Sequence, residues 1–170
     1  QGWTWRRRVE RWCKILRELW YRPLGEVALE GFTTFEYLPA EAAGAGPFQP
    51  MPPGTPWGAK WEYAWFRGEL VLPAEAAGQR CVLCLESGGE SLIWIDGRPV
   101  GARDWAHKAL TLTRAGAPGT RYRLLVESYG GHGPMVEGGG PAPHGVETVP
   151  EPPATQRTVG HSTFGIWDEV

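Results

Sequence analysis

Cysteine is scarce in this chain of 170 residues: Cys13, Cys81 and Cys84 are an odd number, at spacings that suit no disulfide framework. A crosslinked mini-domain is thereby excluded, and a reducing cytoplasm is the expected location. Long apolar runs are missing too, so no stretch suits a membrane-spanning helix. The formal net charge of -2 and a pI near 6.1 provide no overall attraction to nucleic acid or to an anionic membrane surface. Neither a Gly-x-Ser-x-Gly elbow nor a glycine-rich loop closing on Gly-Lys-Ser or Gly-Lys-Thr occurs, which removes the commonest serine-nucleophile and nucleotide-binding signatures. The chain begins at Gln1 without Met or a charged-then-apolar leader, as a processed or excised segment would.

Tryptophan is abundant instead. Ten Trp are a large load for this length, and the residue serves cores, interfaces and sugar-stacking platforms alike. The 24 Gly and 16 Pro concentrate in residues 43–58 and 130–153, which are expected to be loops or extended chain. A hydrophobic share of 42% is enough for one ordinary core. Charge is uneven: residues 1–22 hold Arg6, Arg7, Arg8, Arg11, Lys14, Arg17 and Arg22 against Glu10 and Glu18, as on a solvated helix face or one that meets an acidic partner domain.

Along the chain, Val9, Trp12, Cys13, Leu16, Leu19 and Trp20 recur at helical spacing over residues 4–21, with Thr4 as a cap and the Arg22-Pro23 step as the stop. Such a helix must lay its Trp12, Leu16 and Trp20 stripe on a sheet or on another domain. Short strand-like runs follow: residues 26–32, 61–72, 81–85, 92–95, 98–101, 109–113 and 122–128. Asp96-Gly97 supplies the positive backbone dihedrals of a two-residue hairpin turn. Two adjacent aromatics, Trp65 and Phe66, require either a bulge or a strand buried on both faces. Residues 39–56, rich in proline, read as a long loop that is functional or pinned against a neighbour. Even spacing of short strands predicts an all-β sandwich or barrel. The expected organisation is an amphipathic helix at 1–22, a β-sandwich at 23–135 and an extended tail at 136–170, with the apolar residues Phe164, Ile166 and Trp167 needing cover.

Catalytic signatures are sparse. Glu86, Glu90, Asp96 and Glu127 are expected as solvated carboxylates at strand ends or turns, not as an acid and base pair. Cys81 and Cys84 have a zinc-ligand interval, but residues three apart in a strand face opposite ways and no second pair exists. The four His are scattered. Aromatic binding remains: Trp57, Trp61, Trp94, Trp105 and Tyr129 are able to stack on a sugar while Arg, Asp and His bind hydroxyls, with packing as the alternative for each.

Three stretches carry a family resemblance. Trp57-Gly58 with Ala64-Trp65-Phe66-Arg67-Gly68-Glu69-Leu70, and Gly89-Glu90-Ser91 through Gly97-Arg98-Pro99-Val100, resemble the galactose-binding-like jelly roll that precedes the catalytic domain in glycoside hydrolase family 38 α-mannosidases. The sugar-binding domain of family 2 glycosidases has a similar run. The third stretch resembles only the mannosidases: Glu127-Ser128-Tyr129-Gly130-Gly131-His132-Gly133, then Glu147-Thr148-Val149-Pro150-Glu151-Pro152-Pro153 and Thr163-Phe164-Gly165-Ile166-Trp167-Asp168-Glu169.

The resemblance implies an all-β jelly-roll sandwich with an N-terminal helix and an extended C-terminal tail, and a non-catalytic scaffolding role beside a catalytic domain of the same polypeptide. That domain would hold one zinc ion, use an Asp nucleophile and hydrolyse terminal α-mannosides with retention. None of its catalytic or zinc-binding motifs lies in this chain, so no cofactor is expected here. Trp57, Trp61, Trp105, Tyr129, His132, Phe164 and Trp167 are the candidates for sugar binding or a domain interface. Mannose-containing glycans are the candidate ligands, and homo-oligomerisation of the parent is open. An independent carbohydrate-binding module and a family 2 sugar-binding domain are the alternatives.

Overall fold

The computed structural model describes residues 2–132 and 152–168, with the side chains of Gly2 and Trp3 left aside. Residues 133–151 and Glu169, which carry part of the glycine- and proline-rich resemblance and the expected 135/136 boundary, lie outside the described residues.

Helix α1 (Gly2–Leu19) opens the chain. Strands β1 (Tyr21–Glu26), β2 (Glu30–Thr34), β3 (Gln49–Pro50), β4 (Pro56–Trp57), β5 (Tyr63–Val71), β6 (Cys81–Cys84), β7 (Glu90–Ile95), β8 (Arg98–Arg103), β9 (Ala109–Thr113), β10 (Arg121–Tyr129), β11 (Arg157–Thr158) and β12 (Thr163–Trp167) follow, with a short helix α2 (Ala40–Ala43) between β2 and β3. They form a six-stranded sheet in the order β3-β2-β5-β10-β7-β8, a four-stranded sheet in the order β1-β12-β6-β9, and the small pair β11-β4. Every ladder between named strands is antiparallel.

The main core fills the space between the two large sheets. Phe66 and Leu70 of β5, Ile93 of β7 and Leu124 and Val126 of β10 meet Cys81 and Leu83 of β6 and Phe164 of β12, and all are buried. Alternation explains the selection: inward Leu124, Val126 and Ser128 leave Leu125, Glu127 and Tyr129 on the outer face of β10. A second, smaller cluster sits on that outer face, where Phe32, Ala43 and Trp65 pack with Leu38, Phe48, Trp94 and Leu125. Trp65 and Phe66 are therefore both enclosed, on opposite faces, and the β5–β10 register runs without a shift. Of the two explanations for that dipeptide, the doubly buried strand is the correct one.

The loop over residues 39–56 supplies the outer cover, with Phe48 edge-on to Phe32 at 5.0 Å and the Arg67 guanidinium 4.5 Å from the Phe48 ring centroid. It is pinned. The hairpin forms at Asp96 and Gly97, with φ values of 48° and 78°, and a register shift between Ile93 and Trp94 bends its first strand. Ile93 points into the core, while Trp94 packs on Trp65 at 5.5 Å.

Three expectations are corrected and one is narrowed. The helix ends at Leu19 and starts at Gly2, which places Thr4 inside it rather than at its cap. Trp12 and Leu16 are exposed, so the sandwich does not cover their stripe; only Trp20, just past the helix, meets Trp167 at 6.1 Å. The single strand expected at 26–32 is two strands in different sheets, because Pro23 is accepted in β1 at a sheet edge while residues 27–29 cross between the layers. Finally, residues 163–167, read as extended tail, form β12 between β1 and β6. Phe164 and Ile166 thus find their cover inside the sandwich itself.

Candidate functional site

The outer face of the six-stranded sheet bears a cleft of about 340 Å³ beside the Trp65 cluster. Antiparallel register builds it. Tyr63 of β5 stands opposite Tyr129 of β10, which stands opposite Glu90 of β7, and the next outward row sets Glu127 beside Leu92. Tyr63 and Tyr129 lie with ring centroids 5.2 Å apart and planes inclined by 35°, and Tyr37 closes edge-on to Tyr63 at 6.4 Å. Asp104, just after β8, completes the acidic side.

The charges in this cleft differ in their commitments. The two terminal nitrogens of Arg103 donate to Glu86 and to the Gly89 carbonyl, while its buried Nε finds no hydrogen-bond partner among the described residues. Asp104 accepts backbone N–H groups from Ala106 at 2.8 Å and His107 at 2.6 Å, and its hydrogen bonds to the His107 side chain and backbone hold its carboxyl below the usual range. Glu127 lies inside β10 rather than at a strand end, and it is half-buried. Burial pushes its carboxyl up, and neither a cation nor a hydrogen-bond donor offsets this among the described residues. The Tyr129 phenol shifts the same way: burial raises it, with Tyr63 beside it.

Beneath the cleft a buried hydroxyl chain ties the strands. Ser91 Oγ lies 2.7 Å from both Ser87 Oγ and Ser128 Oγ, and the Trp57 indole N–H donates to the Ser87 carbonyl at 2.8 Å. These hydroxyls are satisfied by one another, so they position the cleft, and Ser91 alone of the three serines also reaches its lining.

A second aromatic feature lies at the end of the same sheet. Trp61 is exposed with φ at 65°, a conformation that costs a bulky residue about 1 kcal/mol, and its ring stands edge-on to His132 at 5.8 Å. The loop is stapled there: the Glu62 carboxylate accepts the Gly58 and Ala59 N–H groups at 3.0 and 2.8 Å, and Arg157 donates to the Gly130 carbonyl at 3.0 Å.

A third feature adjoins the four-stranded sheet, where Cys13, Leu16, Leu19, Trp20 and Asp168 line a largely apolar groove of about 520 Å³. The Asp168 N–H donates to the Trp20 carbonyl at 2.7 Å, joining the helix exit to the end of β12.

The seven candidates are thus dispersed. Tyr129 lines the cleft, Trp61 and His132 meet at its sheet end, Trp167 touches Trp20, and Trp105 stands exposed after β8. Trp57 and Phe164 are enclosed in the core and present no free face. Sequence reading missed Tyr63, Glu90 and Glu127 as neighbours of Tyr129, and Tyr37 beside Tyr63; the outward alternation of β5, β7 and β10 was the available signal. Among the described residues no three His, Cys, Asp or Glu side chains are placed to hold a metal ion. No helix among them is long and apolar enough to cross a membrane.

Two open antiparallel sheets stacked around one core, with an appended N-terminal helix, define a jelly-roll β-sandwich. The chain belongs to the α-mannosidase jelly-roll family: the family described as "Alpha-mannosidase, jelly roll domain" matches residues 26–145. Alpha-mannosidase 2C1 of Mus musculus is 41% identical over 106 residues, covering 56% of this chain and 10% of that protein, and its Homo sapiens counterpart is 39% identical over 88 residues, covering 52% and 8%. The chain therefore spans a tenth or less of the length of these curated relatives. Among solved structures, a Bacteroides fragilis protein assigned as a β-galactosidase aligns with a TM-score of 0.51 at 10% identity, over 85% of this chain and 22% of that one. At that identity the likeness concerns the fold alone.

Proposed function

We propose that this jelly roll is a non-catalytic scaffold within a larger α-mannosidase, docking through α1 onto a catalytic domain of the same polypeptide that hydrolyses terminal α-mannosides. One observation carries the reading: α1 exposes Trp5, Val9, Trp12, Leu16 and Leu19, an apolar stripe that its own sandwich leaves uncovered. Such a stripe has little stability in water without a partner surface. A polypeptide continuing past Asp168 leaves the sandwich beside Trp20, so the following domain would be held near that stripe. The zinc expected for this chemistry would be held in the catalytic domain, and the three free thiols suit a cytoplasmic setting.

The test substitutes the stripe in the full-length enzyme. Trp12→Ser with Leu16→Ser should leave the unfolding of the 170-residue chain nearly unchanged, because both side chains are exposed in it, yet lower the Tm and α-mannosidase activity of the whole protein. Equal Tm and activity in the full-length variant would refute docking through α1. The chain alone should release no nitrophenol from a nitrophenyl α-mannoside, with or without added zinc.

A further inference from the structure

The cleft on the six-stranded sheet is not accounted for by scaffolding through α1, which adjoins the other sheet. Its lining is aromatic and acidic at once. Tyr63 and Tyr129 form a continuous aromatic surface, Leu92 extends it with a side chain 40% exposed, and Glu90, Asp104 and Glu127 stand around it. Their spacing is too open for a metal ion, since no three acidic or His groups converge. The ligand must therefore be larger than an ion, carry several hydrogen-bond donors, and offer an apolar face to the tyrosines.

We propose that this cleft binds a neutral hexopyranoside, with Tyr129 and Leu92 against an apolar face of the ring and Glu90 and Glu127 accepting hydrogen bonds from its hydroxyls. A pyranose matches both requirements: its axial C–H groups form an apolar patch, and its vicinal hydroxyls are donors directed outward. Carboxylates free of cationic partners are the strong acceptors for such donors. Glu90 and Glu127 are free in this sense among the described residues, whereas Glu86 is already engaged by Arg103. The half-buried Glu127 gains most, because a hydroxyl donor restores hydrogen bonding that burial removes. The lining also selects against sugar acids, whose carboxylate would meet Glu90, Asp104 and Glu127, while the lining cation, Arg103, is already paired with Glu86.

The experiment follows backbone amide resonances of the 170-residue chain during titration with methyl α-D-mannopyranoside, and in parallel with methyl β-D-glucuronide and arginine methyl ester. Saturable shifts confined to residues 90–92, 102–104 and 127–129 are expected with the mannoside, and none with the glucuronide. Glu127→Gln, which keeps size and strand, should weaken mannoside binding roughly tenfold, the scale of a lost hydrogen bond to a charged group. Tyr129→Ser should abolish it, and if that variant unfolds, Glu127→Gln carries the test alone. The proposal is overturned by a mannoside titration that moves no amide in the cleft. Equal response to the glucuronide, unchanged affinity in Glu127→Gln, or saturation by arginine methyl ester alone, which would mark a site for a cationic side chain, overturns it as well.

Discussion

Trp65 and Phe66 are adjacent in β5 and are buried on opposite faces of the same sheet, one under the 38–48 segment and the other between the two sheets. The pair couples an outer layer to the sandwich. Phe66→Ala should cost about 3–5 kcal/mol of stability, the range for emptying a buried aromatic site. Trp65→Ala should cost a similar amount, and it should also free the 38–48 segment, since Phe32, Ala43 and Trp94 all lose their common neighbour. Urea unfolding gives the first quantity, and amide exchange of residues 38–48 reports the second. Exchange there that stays slow in Trp65→Ala would show the segment to be held by other contacts.

Gly165 lies in the middle of β12, where a Cβ would press on the Arg22 carbonyl oxygen and come within 2.8 Å of Pro23 Cα. Both obstacles are backbone of the neighbouring strand, which cannot swing aside as a side chain would. Gly165→Ala should therefore destabilise the domain by about 1–3 kcal/mol, the usual cost of overpacking. A midpoint of urea denaturation equal to that of the parent chain would contradict the β1–β12 placement.

Alkaline pH should weaken the fold through Tyr21. Burial raises its phenol from 10.0 to about 12, while its hydroxyl pairs with Thr163 at 2.7 Å. Below pH 10 both folded and unfolded chains hold the proton, so the contribution is fully present. Between pH 10 and 12 the unfolded chain ionises first and is favoured, so stability falls as pH rises. Burial of Cys81 and Cys84 acts in the same direction from a lower starting pH. Tyr21→Phe should lower stability by about 1 kcal/mol at neutral pH through the lost hydrogen bond, yet flatten the decline above pH 10. Denaturation midpoints measured between pH 8 and pH 12, for both proteins, check this.

Much of the fold was readable from local pattern. Alternation in residues 92–95 and the Asp96-Gly97 turn defined the hairpin, and the continuous apolar run at Cys81 marked a central strand of its sheet. Residues 163–167 misled, because three large apolar residues after a proline-rich stretch look the same whether they end a tail or fill a gap in a sheet. Only their pairing with β1 and β6, both distant in sequence, distinguishes the two. Glu127 misled for a related reason: it was assigned to a strand end, whereas β10 continues to Tyr129 and the Trp65 cluster rises beside it.

By itself the sequence determined the strands from β5 to β10, the hairpin turn, the amphipathic helix and the family, since these depend on side-chain periodicity, on turn residues with the required dihedrals and on motif runs. The tertiary structure alone decided which aromatics are enclosed, that β12 completes the second sheet, and that Tyr63, Glu90, Glu127 and Tyr129 share one cleft. Periodicity says that a strand has two faces. Which face meets the core, and which residues of remote strands stand opposite each other, follows from long-range register and packing.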